Sequence, residues 1–176
     1  MPKRTGEKEI FKTKLFTLKD IDIEFEKGEK AVFQIIEKTD TVIIVPLDKD
    51  NNIILIKEYF TALDESQYDL PGGRIEDGDD ELKTANKELQ EEIGYMANRL
   101  DKLLTVTVSP GYLTQKSHIY LARELINSKL EGDEKEDLET IKWPLDNFED
   151  LIEDGRLTES RAIAALFIAR KFLSKI

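Results

Sequence analysis

Apolar and polar residues alternate from Phe16 to Phe25 and again from Lys30 to Ile36, on either side of the polar turn Glu26-Lys27-Gly28-Glu29. A period of two marks strands with one buried face, so this stretch predicts a hairpin. Thr41 to Leu47 and Ile53 to Tyr59 are instead continuously apolar and β-branched, joined by Asp48-Lys49-Asp50-Asn51-Asn52. They predict a second hairpin, buried on both faces. Between Gly73 and Gly94 the period becomes that of a helix. Leu82, Ala85, Leu89 and Ile93 form one apolar arc, while Glu88, Glu91 and Glu92, spaced i, i+3, i+4, share another. Leu100 to Val108 and Ser117 to Ala122 read as strands around the loop Ser109-Pro110-Gly111-Tyr112, and Leu138 to Trp143 as a short strand. Pro144 opens a helix to about Glu153, and Thr158 to Leu173 forms the last helix, with Ala162, Ala165, Leu166, Ala169 and Leu173 on its apolar side. This order predicts an α+β fold: a mixed sheet with helices on both sides over residues 41–176, preceded by a β-strand region over residues 1–40. Two strands alone are marginal in water, so the N-terminal hairpin must pack on the core or on a second subunit.

The three glutamates are the part of the pattern that carries chemistry. An acidic helix face is most often a solvated surface held by pairs such as Lys87 with Glu91. Here it has company: the turn Leu70-Pro71-Gly72-Gly73 leads in, and Gly94 stands where a helix-ending glycine is expected. Clustered carboxylates repel unless a cation joins them, and hard divalent ions such as Mg²⁺ take oxygen ligands while bridging to phosphate. The acidic face therefore reads as half of a metal-phosphate site.

Composition narrows the partners. A formal net charge of −11 argues against a broad surface for long nucleic acid. It leaves room for a small phosphate ester, because bound metal ions invert the local electrostatics. With no cysteine and one histidine, His118, the chain has neither a disulfide framework nor a zinc cluster. No apolar run approaches the ~18 residues of a membrane span. The N-terminus, MPKRTGEKEIFKTK, lacks a signal-peptide core, so cytoplasmic residence without membrane attachment is the expectation.

The segment GRIEDGDDELKTANKELQEEIG resembles the Nudix box, with Gly73, Glu88, Leu89, Glu91, Glu92 and Gly94 matching outright. Asp79 stands where the family has Glu, Lys87 where it has Arg, and Tyr95 where a bulky apolar residue is usual. An ammonium cannot make the planar two-pronged contact by which the family's Arg orients a box carboxylate. Pro110 falls at the spacing of a proline in the ADP-ribose pyrophosphatase branch. Ser109-Pro110-Gly111-Tyr112, Leu130-Glu131-Gly132-Asp133-Glu134 and Trp143-Pro144-Leu145 are similar to bacterial ADP compounds hydrolases. The likeness runs from about Phe11 to Leu173.

The resemblance implies an α/β/α sandwich and a homodimer in which N-terminal segments help complete the partner's pocket. It also implies metal-dependent hydrolysis of ADP-X compounds (ADP-ribose, NADH, dinucleoside polyphosphates) to AMP and a phosphorylated partner. Glu88, Glu91 and Glu92, with the Gly73 carbonyl, are the expected ligands of Mg²⁺ or Mn²⁺. Glu134 or Glu136, on the acidic loop, is the expected general base, Glu134 being preferred. Lys57 and Arg74 are candidates for phosphate or ribose oxygens, and Tyr59 and Phe60 for the adenine, with Pro110 and Tyr112 flanking. Each of these has an even structural alternative, such as Arg74 pairing with Glu76. Two other readings stand beside this one: a degenerate domain that senses an ADP-containing ligand without turnover, and a pyrophosphatase of nucleoside triphosphates or sugar nucleotides.

Overall fold

The computed structural model describes residues 1–132 and 138–175. The chain forms two compact units, one of residues 1–40 with 107–116, the other of residues 41–106 with 117–176.

In the first unit, β1 (Lys3–Lys12), β2 (Thr17–Glu24) and β3 (Lys30–Glu37) make an antiparallel sheet in that order. The hairpin of β2 and β3 is the one the alternation predicts. Strand β1 is an addition: its sequence, KRTGEKEIFK, is almost wholly exposed and shows no one-sided pattern, so periodicity could not reveal it. Segment 107–116 joins this unit through Ile36, whose N–H donates to the Tyr112 carbonyl at 2.7 Å and whose carbonyl accepts from Thr114 at 3.0 Å.

The second unit holds two sheets. Strands β4 (Thr41–Pro46), β7 (Gly72–Arg74), β8 (Tyr95–Thr107) and β9 (Lys116–Asn127) form a sheet in the order β7-β4-β9-β8. Strands β5 (Asn52–Phe60), β6 (Glu65–Asp69) and β10 (Glu139–Pro144) form another, in the order β10-β5-β6. The expected hairpin of β4 with β5 is therefore corrected. One isolated bridge, Leu47 with Ile53, connects them, after which β4 pairs in parallel with β9 and β5 pairs with β6 and β10. Both strands are apolar on two faces, so each can be central in its own sheet; a shared hairpin is not required to bury them.

Alternating residues of these strands feed two cores. Ile43, Val45, Ile53, Leu55, Ile119 and Leu121 pack with Phe148, Leu151, Ala162, Ala165, Leu166 and Ala169, under α2 (Glu149–Glu153) and α3 (Ser160–Leu173). Val42, Ile44, Ile54, Ile56, Tyr120 and Ala122 pack with Ala85, Leu89 and Ile93, under α1 (Glu81–Glu88) and its continuation. Helices thus cover both faces, as the sandwich expectation requires. The helix expected from Pro144 is interrupted: Leu145–Asn147 is a 3₁₀ turn that precedes α2.

Helix α1 starts where Asp80 accepts from the Lys83 N–H at 2.8 Å, an N-cap side chain satisfying an otherwise unpaired donor. Its first-turn Glu81 accepts from the Tyr120 hydroxyl and lies 3.2 Å from His118 Nδ1, which ties the helix start to β9. From Leu89 to Ile93 the helix widens to a π-helix, closed by Gly94 in the left-handed region (φ 75°), whose N–H donates to the Leu89 carbonyl. Leu82, expected in the apolar arc, is instead half exposed, whereas Ala85 and Leu89 are fully buried. Leu82 is not among the residues packed into this core. Leu89→Ala is expected to cost about 2–5 kcal/mol, as a void beneath the helix. Equilibrium denaturation measures this; a loss below about 1 kcal/mol would mean that Leu89 does not anchor it.

Candidate functional site

The Leu70-Pro71-Gly72-Gly73 turn passes directly under the helix. The Ile44 N–H donates to the Pro71 carbonyl at 2.9 Å, and β7 pairs Gly72 with Ile43 and Gly73 with Val42. Side chains at these glycines would collide with what lies beside them. A Cβ on Gly72 would stand 2.4 Å from the Val42 carbonyl oxygen, and one on Gly73 would stand 2.1 Å from Glu88 Oε1. The absence of a side chain at Gly73 is what lets the helix carboxylate approach the strand backbone.

This approach builds a cleft of about 230 Å³ lined by Gly72, Gly73, Arg74, Glu76, Lys87, Glu88, Glu91, Glu92, Gly132 and Glu58. All three box glutamates are therefore brought together with Gly73. The Gly72 N–H donates to Glu92 Oε2 at 2.9 Å. Lys87 lies 3.2 Å from Glu91, so the ammonium that replaces the expected guanidinium still engages a box carboxylate. Arg74 contacts Glu76 at 2.8 Å, and both line the cleft.

Burial is the largest influence on Glu92. With the charge of Glu88 it pushes the carboxyl up to about 9, against the pull of the Gly72 N–H, and Glu58 and Asp69 add to the rise. Asp69, at the end of β6, is similarly buried and pushed up to about 7, with Glu159 the next contributor. Lys87 and Arg74 line the same cleft, and Arg161 draws Asp69 back toward ionisation. Among the described residues, no three acidic or imidazole groups are already drawn into a metal-holding set. The donors nevertheless fit a hard divalent cation: the carboxylates of Glu88, Glu91 and Glu92 line one cleft with the glycine backbone of β7.

The other expected residues stand as follows. Lys57 pairs with Glu139 at 3.2 Å, and the Tyr59 hydroxyl donates to Asp64 at 2.7 Å. Both belong to the row of β5 that continues Ile53 and Leu55, opposite the row of Ile54, Ile56 and Glu58. Tyr112 and Pro110 belong to the first unit. Glu134 and Glu136 lie outside the described residues. Glu58 is the cleft residue that the sequence reading passed over. Its signal was available, since period-two spacing from Ile54 and Ile56 aims it at the helix rather than away.

A NUDIX domain profile matches residues 37–166. The ADP compounds hydrolase of Escherichia coli K12 is 36% identical over 166 residues, covering 93% of this chain and 89% of that protein. The ADP-ribose pyrophosphatase of Bacillus subtilis is 28% identical over 166 residues, covering 93% and 90%. A crystal structure of an ADP compounds hydrolase superposes with a TM-score of 0.90 at 34% identity, covering 99% of this chain and 95% of that one.

Asp69 supplies a test of the electrostatics. Its folded pKa, about 7, lies above the ordinary value of 3.8, so the folded state holds the proton more tightly than the unfolded state. Its contribution to stability is therefore fully favourable only below pH 4 and is lost progressively as pH rises from 4 to 7, by up to about 4 kcal/mol. Asp69→Asn, which keeps an acceptor for the Leu70 N–H, is expected to remove that part of the pH dependence. Urea denaturation at pH 5 and pH 8 checks this: the variant gains on the unaltered chain at pH 8, and an equal effect at both pH values would refute the assignment.

Proposed function

The chain belongs to the NUDIX domain family, and on that premise we propose that it hydrolyses the pyrophosphate bond of ADP-X compounds, releasing AMP and a phosphorylated partner. The observation that carries this reading is the convergence of Glu88, Glu91 and Glu92 with Gly73 in one cleft. Relatives named for ADP compounds and for ADP-ribose support the substrate class.

Glu88, Glu91 and Glu92, with the Gly73 carbonyl, would hold Mg²⁺ or Mn²⁺. When bound, the metal supplies polarisation of the phosphoryl oxygens and a lowered pKa for the attacking water. Arg74 and Lys87, which line the cleft and pair with Glu76 and Glu91, are proposed to meet phosphate oxygens. The general base is proposed to be Glu134, with Glu136 as its alternative, in the acidic segment of the sequence. Contacts to the nucleoside are proposed for Lys57 and Tyr59 of the second unit, and Pro110 and Tyr112 are proposed as binding residues of the first.

A homodimer is part of the proposal. Its support is the exposure of Ile10, Phe11, Leu15, Val32 and Phe33 in the first unit, more apolar surface than a small sheet ordinarily leaves in water. Cytoplasmic residence is also part of it; no helix among the described residues is long and apolar enough to cross a membrane.

Incubation with Mg²⁺ or Mn²⁺ and a panel of ADP-ribose, NADH, diadenosine triphosphate, ADP-glucose and ATP tests the activity, with products resolved by chromatography. AMP from ADP-X compounds but not from ATP is the expected result. Inorganic pyrophosphate from ATP would instead mark a triphosphate pyrophosphatase, and binding without product a sensor. Glu91→Gln is expected to lower kcat/KM by about 100-fold or more with little change in thermal stability, and Lys87→Arg to keep or raise it. Light scattering on the eluting peak is expected to give twice the chain mass; a monomer at micromolar concentration would rule out the dimer.

A further inference from the structure

The last carbonyls of a helix need donors from outside it. At the end of the glutamate helix these come from the chain that leaves β9. The Ser128 N–H donates to the Gly94 carbonyl at 2.9 Å, and the Leu130 N–H to the Gln90 carbonyl at 3.1 Å. Two N–H groups on alternate residues facing one way are what an extended chain supplies. The Gln90 side chain adds a third bond, its amide nitrogen donating to the Ser128 hydroxyl at 2.8 Å. Two residues past Leu130, Gly132 lines the cleft with Glu88, Glu91 and Glu92. The helix that bears the carboxylates thus also holds, through Gln90, the chain that forms another wall of their cleft. One turn earlier Asn86 makes a comparable clamp on β8, exchanging bonds with Ala97 at 2.8 and 3.3 Å, but Ala97 is not among the cleft residues.

We infer that Gln90 is a positioning residue for the substrate: by gripping Ser128 it fixes segment 128–132 along the helix, so that Gly132 stands as a wall of the cleft at a set distance from the carboxylates. This rests on the hydrolase reading given above and adds to it a residue that bonds to the wall. Gly132 has no side chain, so a diphosphate meets main chain there and can approach closely. Because the wall and the glutamates are tied to the same turns, the spacing between bound substrate and the acidic face is set locally. Spacing of this kind matters to rate, since a shift of about 1 Å in a bound group costs up to about 100-fold. The backbone bonds of Ser128 and Leu130 would hold the segment to the helix without Gln90; the amide adds a lateral restraint next to Glu91.

Steady-state hydrolysis of ADP-ribose, Mg²⁺ titration calorimetry and thermal unfolding test this on the full chain and on Gln90→Leu, Ser128→Ala, their double variant, Ser128→Thr and Asn86→Ala. Gln90→Leu is expected to raise KM about 10-fold, with kcat and Mg²⁺ affinity little changed. Ser128→Ala removes the same bond from the strand side and is expected to match it, which keeps the test open if Gln90→Leu does not fold. The double variant is expected to be no worse than either single one, because one bond is lost in all three. Ser128→Thr, which keeps the hydroxyl, is expected to keep KM. Asn86→Ala is expected to lower Tm and leave KM unchanged, as a clamp away from the cleft does. The role of Gln90 is overturned, and the hydrolase reading stands, if Gln90→Leu keeps KM within about twofold, if its Mg²⁺ affinity falls in step with KM, or if the two single effects add. If the unaltered chain hydrolyses no ADP-X compound, the hydrolase reading itself fails and the role of Gln90 falls with it.

Discussion

The site depends on one helix meeting two opposed demands. Ala85, Leu89 and Ile93 must sit against Val42, Ile44, Ile54 and Ile56, while Glu88, Glu91 and Glu92 on the same turns must gather beside a glycine strand. Apolar burial supplies the driving force, and like charge opposes it. The π-helical stretch over Leu89–Ile93 is where the two are reconciled. A wider turn changes the angular spacing of successive residues, so the carboxylates can face the cleft while Leu89 and Ile93 remain under the helix; such turns recur at functional sites. Gly94 then ends the helix in a conformation that residues with a Cβ adopt at a cost, and Tyr95 begins β8 at once.

The sheet answers the helix residue for residue. Gly72 and Gly73 have no side chains because the Val42 backbone and Glu88 occupy the space. The Gly72 N–H is turned toward Glu92 rather than left to the solvent. Two of the three departures from the family box are absorbed locally: Lys87 stays with Glu91, and Asp79 stays paired with Lys83 at the helix start. Neither removes an oxygen from the cleft. The overall negative charge of the chain is thus compatible with handling phosphate, since the cleft gathers acidic oxygens for a cation and is lined by Arg74 and Lys87 as well.

Much of this was legible in the residues. Continuous apolar runs at Thr41 to Leu47 and Ile53 to Tyr59 announced strands buried on two faces, and the i, i+3, i+4 glutamates announced the cleft. Pairing was not legible. The short turn-rich link Asp48 to Asn52 implied a hairpin, yet β4 found its partners in β7 and β9, because strand pairing is decided by which apolar faces share a core and not by chain proximity. Strand β1 was silent because its polar residues face water on both sides. The exposure of Leu82 could not be read from a helical wheel, which marks an arc but not where the covering sheet ends. Glu58 was overlooked because attention to cations and aromatics favoured its neighbours Lys57 and Tyr59, although strand alternation pointed to it.

The parallel pairing of β4 with β9 has a consequence for how the molecule is made. Thr41 and Ser117 share a buried hydroxyl contact at 2.7 Å across a separation of 76 residues. The glutamate helix lies between them in the chain, so its covering strands are completed only after the later one has been synthesised. Pairings of this span are slow to form, because the loop must close before any contact rewards it. A nascent chain that has already released the whole acidic helix from the ribosome still lacks half of the floor beneath it. Until β9 is in place the helix lacks Tyr120 and Ala122 beneath it, so the floor of the cleft and the central sheet are completed together.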